Sequence, residues 1–322
     1  MARIAMLPQA DPAFAADVRA GLMHNPQKQL PSRYLYDTIG SGLFEVITEL
    51  PEYGVTRAEE RIVRSHAGEM ASRLPGHALI AELGSGSGRK TRWLVEAIAR
   101  RHPVTYCPID ISPTALALCR HELADIPAVR VAGYERYYLD GLRQIVSERK
   151  AVAPLLVLFL GSTIGNFRRL AATRFMREVR ALLHPGDAFL LGVDLLKPEA
   201  DLLPAYDDAL GVTAAFNLNM LARINRELGG QFDLRRFAHV ARFEAETRSI
   251  DMHIRSLDTQ QVKIPGAGLV VEFECGETIW TESSHKYLAE EVVAMGEIAG
   301  FRCDGQWIDR KWPFADTLFG VG

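Results

Sequence analysis

The chain has 322 residues, 48% hydrophobic and 24% charged, a composition that folds and that excludes disordered, collagen-like and coiled-coil classes. The length fits one large α/β unit carrying an insertion, or two packed domains. Lys and Arg number 37 against 40 Asp and Glu, a formal net charge of -3, far from the basic footprint that a phosphate backbone requires, so no nucleic-acid partner is expected.

No apolar run reaches the ~20 residues needed to span a bilayer. Met1 to Ala10 also lacks a basic stretch leading into an apolar one. No membrane association is expected, and a cytoplasmic address follows.

In chain order, the first 56 residues show no alternation of strand and helix and are expected to pack with a later insertion. From about residue 57 to 193, charged helical stretches alternate with short apolar runs bounded by Gly, Pro or Asp, the pattern of consecutive βα units. Helices are predicted at Arg57 to Leu74, Lys90 to Arg101, Ser112 to Leu123 and Leu170 to Leu183. Strands are predicted at Leu79 to Leu83, Val104 to Ile109, Val129 to Ala132, Leu155 to Leu160 and Ala188 to Val193. Together they make a doubly wound, Rossmann-like α/β sheet.

Pro185 and Gly186 turn the chain into the fifth strand, and after Asp194 the pattern changes. Residues 197 to 228 read as helical, and β-rich runs such as Val270 to Phe273 and Thr278 to Trp280 occupy about Arg236 to Glu282, which predicts an α+β insertion. A helix from Tyr287 to Ala299 and strands at Phe301 to Ile308 and Phe314 to Val321 resume the first pattern. The expected division is 57–195 with 286–322 as a nucleotide domain, and 1–56 with 196–285 as a substrate-binding domain. The second is expected to cover the carboxyl ends of the parallel strands, where such sheets take ligands.

Cys107, Cys119, Cys275 and Cys303 are scattered without CxxC spacing, and the nine histidines form no HxxxH or HExxH pair. Neither disulfides nor a metal are expected. His253 and His285 read most simply as solvated or singly hydrogen-bonded side chains.

The segment Ala81-Glu82-Leu83-Gly84-Ser85-Gly86-Ser87-Gly88-Arg89-Lys90 follows a strand and opens a helix, the setting in which glycines let the backbone press against a nucleotide. A dinucleotide fingerprint would place Gly or Ala three positions after Gly86, where Arg89 stands, so NAD is weakened without being excluded. Glu82 favours a cationic cofactor, because a sulfonium or an ammonium gains from a nearby carboxylate and a pyrophosphate does not. Asp110, ending the second strand, can accept from both ribose hydroxyls of either cofactor class, and Ser112 can cap the helix that follows. In a βαβ frame these features together favour an S-adenosylmethionine-dependent methyltransferase.

The fourth-strand segment Phe159-Leu160-Gly161-Ser162-Thr163-Ile164-Gly165-Asn166-Phe167 is more specific. With it go Tyr34-Leu35-Tyr36-Asp37, Gly40-Ser41-Gly42-Leu43-Phe44, Leu50-Pro51-Glu52-Tyr53, Ala205-Tyr206-Asp207-Asp208 and Thr281-Glu282-Ser283-Ser284. On these motifs the chain resembles, over nearly its whole length, the histidine-specific Nα-methyltransferases of ergothioneine biosynthesis. The resemblance implies a monomeric enzyme that moves three methyl groups from S-adenosylmethionine to the α-amino group of L-histidine, giving hercynine.

It also implies roles for individual residues. Gly84, Gly86, Lys90, Asp110 and Gly161 match cofactor positions. Tyr53, Asn166, Tyr206, Glu282 and Ser284 match contacts to histidine, Tyr36 a residue near the amino group, and Phe44 a wall of the same pocket. Of these, Tyr36, Tyr53 and Asn166 carry the catalytic expectation. Gly133 and Tyr134 stand where the family usually has an acidic residue near the adenine amino group, and Gly54 replaces a second aromatic after the LPEY motif.

An in-line methyl transfer needs a neutral amine aimed at the methyl group, so catalysis is mainly positioning and removal of the ammonium proton. Tyrosine hydroxyls and an asparagine amide can clamp a carboxylate without a strong cation that would repel the sulfonium. The alternatives are a methyltransferase for another amino acid or small amine, a non-catalytic S-adenosylmethionine-binding protein, and a Rossmann oxidoreductase.

Overall fold

A computed structural model describes residues 11–74, 76, 78–149 and 153–322; the reading made of Met1 to Ala10 lies outside them. The chain divides into two compact units, one formed by Gly54–Lys197 with His285–Gly322, the other by the described residues up to Tyr53 with Pro198–Ser284. Among the described residues no helix is long and apolar enough to cross a membrane.

The first unit is built on one sheet in the spatial order Arg302–Asp309, Phe314–Gly320, Ala188–Asp194, Leu155–Phe159, Leu79–Leu83, Val104–Asp110, Val129–Val131. All neighbours pair in parallel except Phe314–Gly320, which runs antiparallel to both of its partners. Leu155–Phe159, Ala188–Asp194 and Phe314–Gly320 are buried at every residue, which is why the first two read as apolar runs rather than alternating ones, while the third buries Asp316 and Thr317 among its apolar residues. Phe159 and Phe175 meet at 4.9 Å and Phe167 stacks on Phe175 at 5.2 Å, tying the helix Arg169–Leu182 to the sheet. Each fully buried aromatic of this kind contributes roughly 2–3 kcal/mol by removal from water.

The strands predicted for this unit are found within a residue or two of their expected limits, and the fold is the doubly wound α/β sheet the pattern implied; in the other unit the run expected at Thr278 to Trp280 extends to His285. In this unit the short strand Tyr134–Glu135, which pairs with Val104–Asp110, and the α-helix Tyr138–Glu148 went unpredicted. That helix buries Leu142 and Ile145 on one face.

In the second unit, a four-stranded sheet has the order Lys28–Gln29, Thr278–His285, Ser249–Ser256, Phe237–Glu244, beside a hairpin of Gln260–Ile264 and Leu269–Phe273. The helices are Pro12–Leu22, Thr38–Glu49 and Val212–Leu228, with a short one at Glu199–Leu202. Asp37 caps Thr38–Glu49 by accepting from Gly40 N–H at 2.7 Å, and it also accepts from Asn219 at 2.8 Å and pairs with Arg226. A Cβ on Gly40 would overlap the Leu35 carbonyl, so this buried position admits only glycine.

The region 197–228, expected to be helical, is helical in separate pieces. Glu199–Leu202 gives way to a 3-10 turn at Leu203–Ala205, and helix resumes only at Val212. Pro204 and Gly211, the latter at φ +74°, punctuate the gap, and Asp208 restarts the helix by accepting from Val212 and Thr213 N–H at 3.0 and 2.7 Å. Tyr206 lies in this gap.

Candidate active site

The order of the larger sheet reverses between Leu79–Leu83 and Leu155–Phe159, and ligands of such sheets bind beyond the carboxyl ends of the strands at that point. Two glycine turns stand there. In the first, Gly84, Gly86 and Gly88 take left-handed φ of +74°, +51° and +74°, a geometry that other residues adopt only under strain. Asp110, at the end of the adjoining strand, accepts from Gly86 N–H at 3.1 Å and from Ser112 N–H at 2.9 Å. Burial pushes its carboxyl above the usual range against the pull of those N–H groups. Ser112 caps the following helix through Ala115 N–H.

These residues fit a nucleoside cofactor. A Cβ on Gly86 would meet nothing within 4 Å, so its backbone faces open space. Asp110 keeps acceptor capacity beyond the two N–H bonds it holds. Tyr138, which sequence reasoning missed, lies beside this turn; a Cβ on Gly84 would come 3.1 Å from its ring.

The second turn follows Leu155–Phe159. Gly161 and Ser162 are both left-handed, at φ +76° and +59°, a non-glycine left-handed residue being uncommon enough to mark a constrained loop. Gly161 N–H donates to both oxygens of Glu59, at 2.8 and 3.0 Å, and Lys90 forms an ion pair with the same carboxylate. Although burial opposes the charge on Lys90, Glu59 holds its ammonium above the ordinary range. Lys90 is thus placed under the Gly161 turn, bound to Glu59. Asp316 is wholly buried nearby and, through burial and then the Glu59 charge, is held well above the normal carboxylate range.

Asn166 ends the 3-10 turn Thr163–Asn166. His285 Nδ1 lies 2.9 Å from the Gly165 carbonyl; a carbonyl only accepts, so Nδ1 carries the proton. His285 is buried and its hydrogen bond clamps the turn that presents Asn166, so of the two expected readings, solvated or singly hydrogen-bonded, the solvated one does not hold. His253 is buried as well.

Glu82 departs from expectation. Its carboxylate is turned inward, almost fully buried, with Oε1 accepting from Thr91 at 2.8 Å and Oε2 from Tyr106. Burial raises its pKa to about 7 against those two hydrogen bonds. The carboxylate expected to meet a cation therefore anchors the base of the first glycine turn instead. Gly133 makes only ordinary contacts with Leu116 at its missing Cβ. Tyr134 packs its ring on the core and donates its hydroxyl to Glu148 at 2.8 Å.

In the other unit the structure brings together five aromatic rings. Tyr36 meets Phe44 and Phe216 at 5.5 Å each, Phe44 meets Tyr53 at 6.2 Å, and Tyr53 meets Tyr206 at 6.2 Å, edge-on arrangements that aromatic quadrupoles favour. Phe216 was not foreseen, though Thr213, Phe216 and Met220 repeat at helical spacing along one face. The Tyr206 hydroxyl lies 2.8 Å from Ser284 Oγ.

Glu282 and Ser284 alternate with Ser283 along Thr278–His285. Ser283 donates to Asp251 at 2.6 Å, and the two-residue repeat puts Glu282 on the same face as Ser284. Glu282 is 8% exposed, which rules out a solvated strand-end carboxylate. Tyr36, Phe44, Tyr53, Tyr206, Glu282 and Ser284 thus all belong to this unit, while Asn166 and the glycine turns belong to the other.

Comparison with known proteins bears on what such a set does. A family model described as "Histidine-specific methyltransferase, SAM-dependent" matches residues 14–321. The histidine N-alpha-methyltransferase of Mycolicibacterium smegmatis is 39% identical over 308 residues, 95% of this chain and 94% of that protein. The protein of the same name from Mycobacterium tuberculosis is 39% identical over 312 residues, with the same coverage. An L-tryptophan methyltransferase of Psilocybe serbica is 27% identical over 93% of this chain and 90% of its own. With residues 14–321 matched and that identity sustained over nearly the whole length, the chain belongs to the family of S-adenosylmethionine-dependent histidine-specific methyltransferases.

Proposed function

We propose that the protein transfers three methyl groups in succession from S-adenosylmethionine to the α-amino group of L-histidine, forming hercynine and three equivalents of S-adenosylhomocysteine. The observation that carries the substrate is the buried pair Glu282 and Ser284 on one strand face, the latter bound to Tyr206. A carboxylate accepts from one imidazole nitrogen while a hydroxyl donates to or accepts from the other, a pattern no aliphatic side chain can return.

When bound, S-adenosylmethionine supplies a methyl group made electrophilic by positive sulfur. Asp110 would hold the ribose hydroxyls and the backbone at Gly84, Gly86 and Gly161 would admit the rest, with Lys90 bracing the Gly161 turn through Glu59; the resemblance assigns Gly133 and Tyr134 to the adenine end. The resemblance assigns Tyr53 and Asn166 to the histidine carboxylate and Phe44 to a wall of the pocket, and the Tyr206 bond to Ser284 assigns Tyr206 to the same end as that serine. Tyr36 stands near the amine.

In each transfer a C–N bond forms as the S–CH3 bond breaks, and the amine has already given up one proton. Three transfers therefore release three protons and leave a quaternary nitrogen that has none. Positioning of this kind can lower the barrier by as much as about 7–11 kcal/mol. The reading is of a monomer, as the family resemblance implies, that is cytoplasmic and needs no metal, nucleic acid or membrane, as the composition, the absence of a long apolar run and the Cys and His spacing suggest.

The test is mass spectrometry of histidine incubated with the protein and S-adenosylmethionine. Histidine bearing three methyl groups on its α-nitrogen is expected. A product methylated on the ring, or a reaction that stops after one methyl group, would overturn the reading.

A further inference from the structure

Behind Tyr206 lies a relay of side chains with no part in the scheme above. His239, on the strand Phe237–Glu244, places Nε2 2.8 Å from the Tyr206 carbonyl and Nδ1 2.9 Å from Nδ2 of Asn217 on the helix Val212–Leu228. The same Nδ2 donates to the His253 carbonyl at 3.1 Å. Asn217 is fully buried.

The two carbonyls fix every proton. A carbonyl only accepts, so the Asn217 atom beside His253 must be the amide nitrogen, and its second hydrogen points at His239 Nδ1. Nδ1 is therefore the acceptor, and Nε2 carries the hydrogen given to Tyr206. His239 is held as one neutral tautomer.

The strand Ser249–Ser256 separates the strand of His239 from the strand of Ser284. Tyr206 is consequently fastened twice to one sheet, by its carbonyl to the outer strand and by its hydroxyl to Ser284. Its N–H closes the 3-10 turn Leu203–Ala205 by donating to the Leu203 carbonyl at 2.9 Å, but its own carbonyl lies past the end of that turn, in the break between two helices, and is taken up by His239.

We propose that His239 is a positioning residue for substrate recognition: as its Nε2–H tautomer, backed by Asn217, it sets the backbone of Tyr206 so that the hydroxyl meets Ser284. This rests on the reading that Tyr206 and Ser284 hold the substrate histidine.

The experiment compares His239→Ala and His239→Gln with the natural protein. Glutamine can donate from Nε2 to the Tyr206 carbonyl and accept from Asn217 at Oε1. His239→Ala is expected to raise the KM for histidine about fivefold to tenfold, the worth of a neutral buried hydrogen bond, with kcat changed less than about twofold. Affinity for S-adenosylhomocysteine should stay unchanged, and His239→Gln should recover most of the loss.

A natural KM in His239→Ala would overturn the proposal, as would equal KM values in the two variants or an equal fall in cofactor affinity. If His239→Ala melts below the assay temperature, His239→Leu, which keeps bulk without either hydrogen bond, replaces it with the same outcomes. Tyr206→Phe and Ser284→Ala are measured alongside. If they raise KM and His239→Ala does not, His239 is no positioning residue; if they too leave KM unchanged, the assignment of Tyr206 and Ser284 to the substrate fails.

Discussion

The hydroxyl of Tyr206 and Oγ of Ser284 lie 2.8 Å apart, joining the break after the helix Glu199–Leu202 to the strand that carries Glu282. Groups sharing one hydrogen bond do not contribute independently. In a cycle of Tyr206→Phe, Ser284→Ala and the double variant, a coupling of about 0.5 kcal/mol or more in histidine kcat/KM is expected. Strictly additive losses would show that the bond has no bearing on substrate.

Asp110 organises the first glycine turn through Gly86 and the next helix through Ser112. Asp110→Ala is expected to weaken S-adenosylhomocysteine binding by about 1.5–3 kcal/mol, the range for hydrogen bonds to a charged group. Titration calorimetry measures it. Unchanged affinity would remove Asp110 from the cofactor site.

Glu59 holds Gly161 N–H and the Lys90 ammonium from a fully buried position. Its removal strands a partly buried cation beneath a left-handed turn. Glu59→Ala is expected to cost about 3–5 kcal/mol of folding stability, the range for breaking a buried pair by deleting one partner. Glu59→Gln, which still accepts from Gly161, should cost less. Urea unfolding of the two variants checks the order.

The carboxyl of Glu82 is raised from 4.5 to about 7, chiefly by burial. The folded chain therefore keeps a proton that the unfolded chain has lost. The stability this contributes is fully present below pH 4.5 and is lost as pH rises through about 7. Glu82→Gln carries no such titration. Relative to it, the natural protein is expected to lose up to about 3 kcal/mol between those limits. Equal pH slopes in paired melts would show that the Glu82 carboxyl keeps its ordinary pKa.

What the sequence disclosed follows from where the stabilising contacts lie. Leu155–Phe159 and Ala188–Asp194 were legible because burial on both faces leaves an unbroken apolar run. The helix Tyr138–Glu148 could have been found, since Leu139, Leu142, Ile145 and Val146 repeat at helical spacing. The break at Tyr206 had its own markers in Pro204 and Gly211, outweighed by the helical composition around them. Glu59 had no local signal: it sits among Glu60 and Arg61, and its partners Lys90 and Gly161 stand about thirty and about a hundred positions on. Glu82 misled for a related reason. Its position after the strand suggested a ligand, whereas Tyr106 on the neighbouring strand and Thr91 beyond the glycines draw it inward.

The claim that Glu282 and Ser284 read the imidazole is tested most directly by the ratio of kcat/KM for histidine to that for tryptophan, in the natural protein and in Glu282→Ala. A site with a buried carboxylate rejects side chains that leave it unpaired by as much as ~10⁴-fold. Glu282→Ala removes that rejection together with the contact to histidine, so the ratio is expected to collapse by about a hundredfold or more, as when a charged hydrogen-bonding partner is lost. A ratio equal in the two proteins would mean that Glu282 does not meet the substrate and that specificity for histidine is set elsewhere.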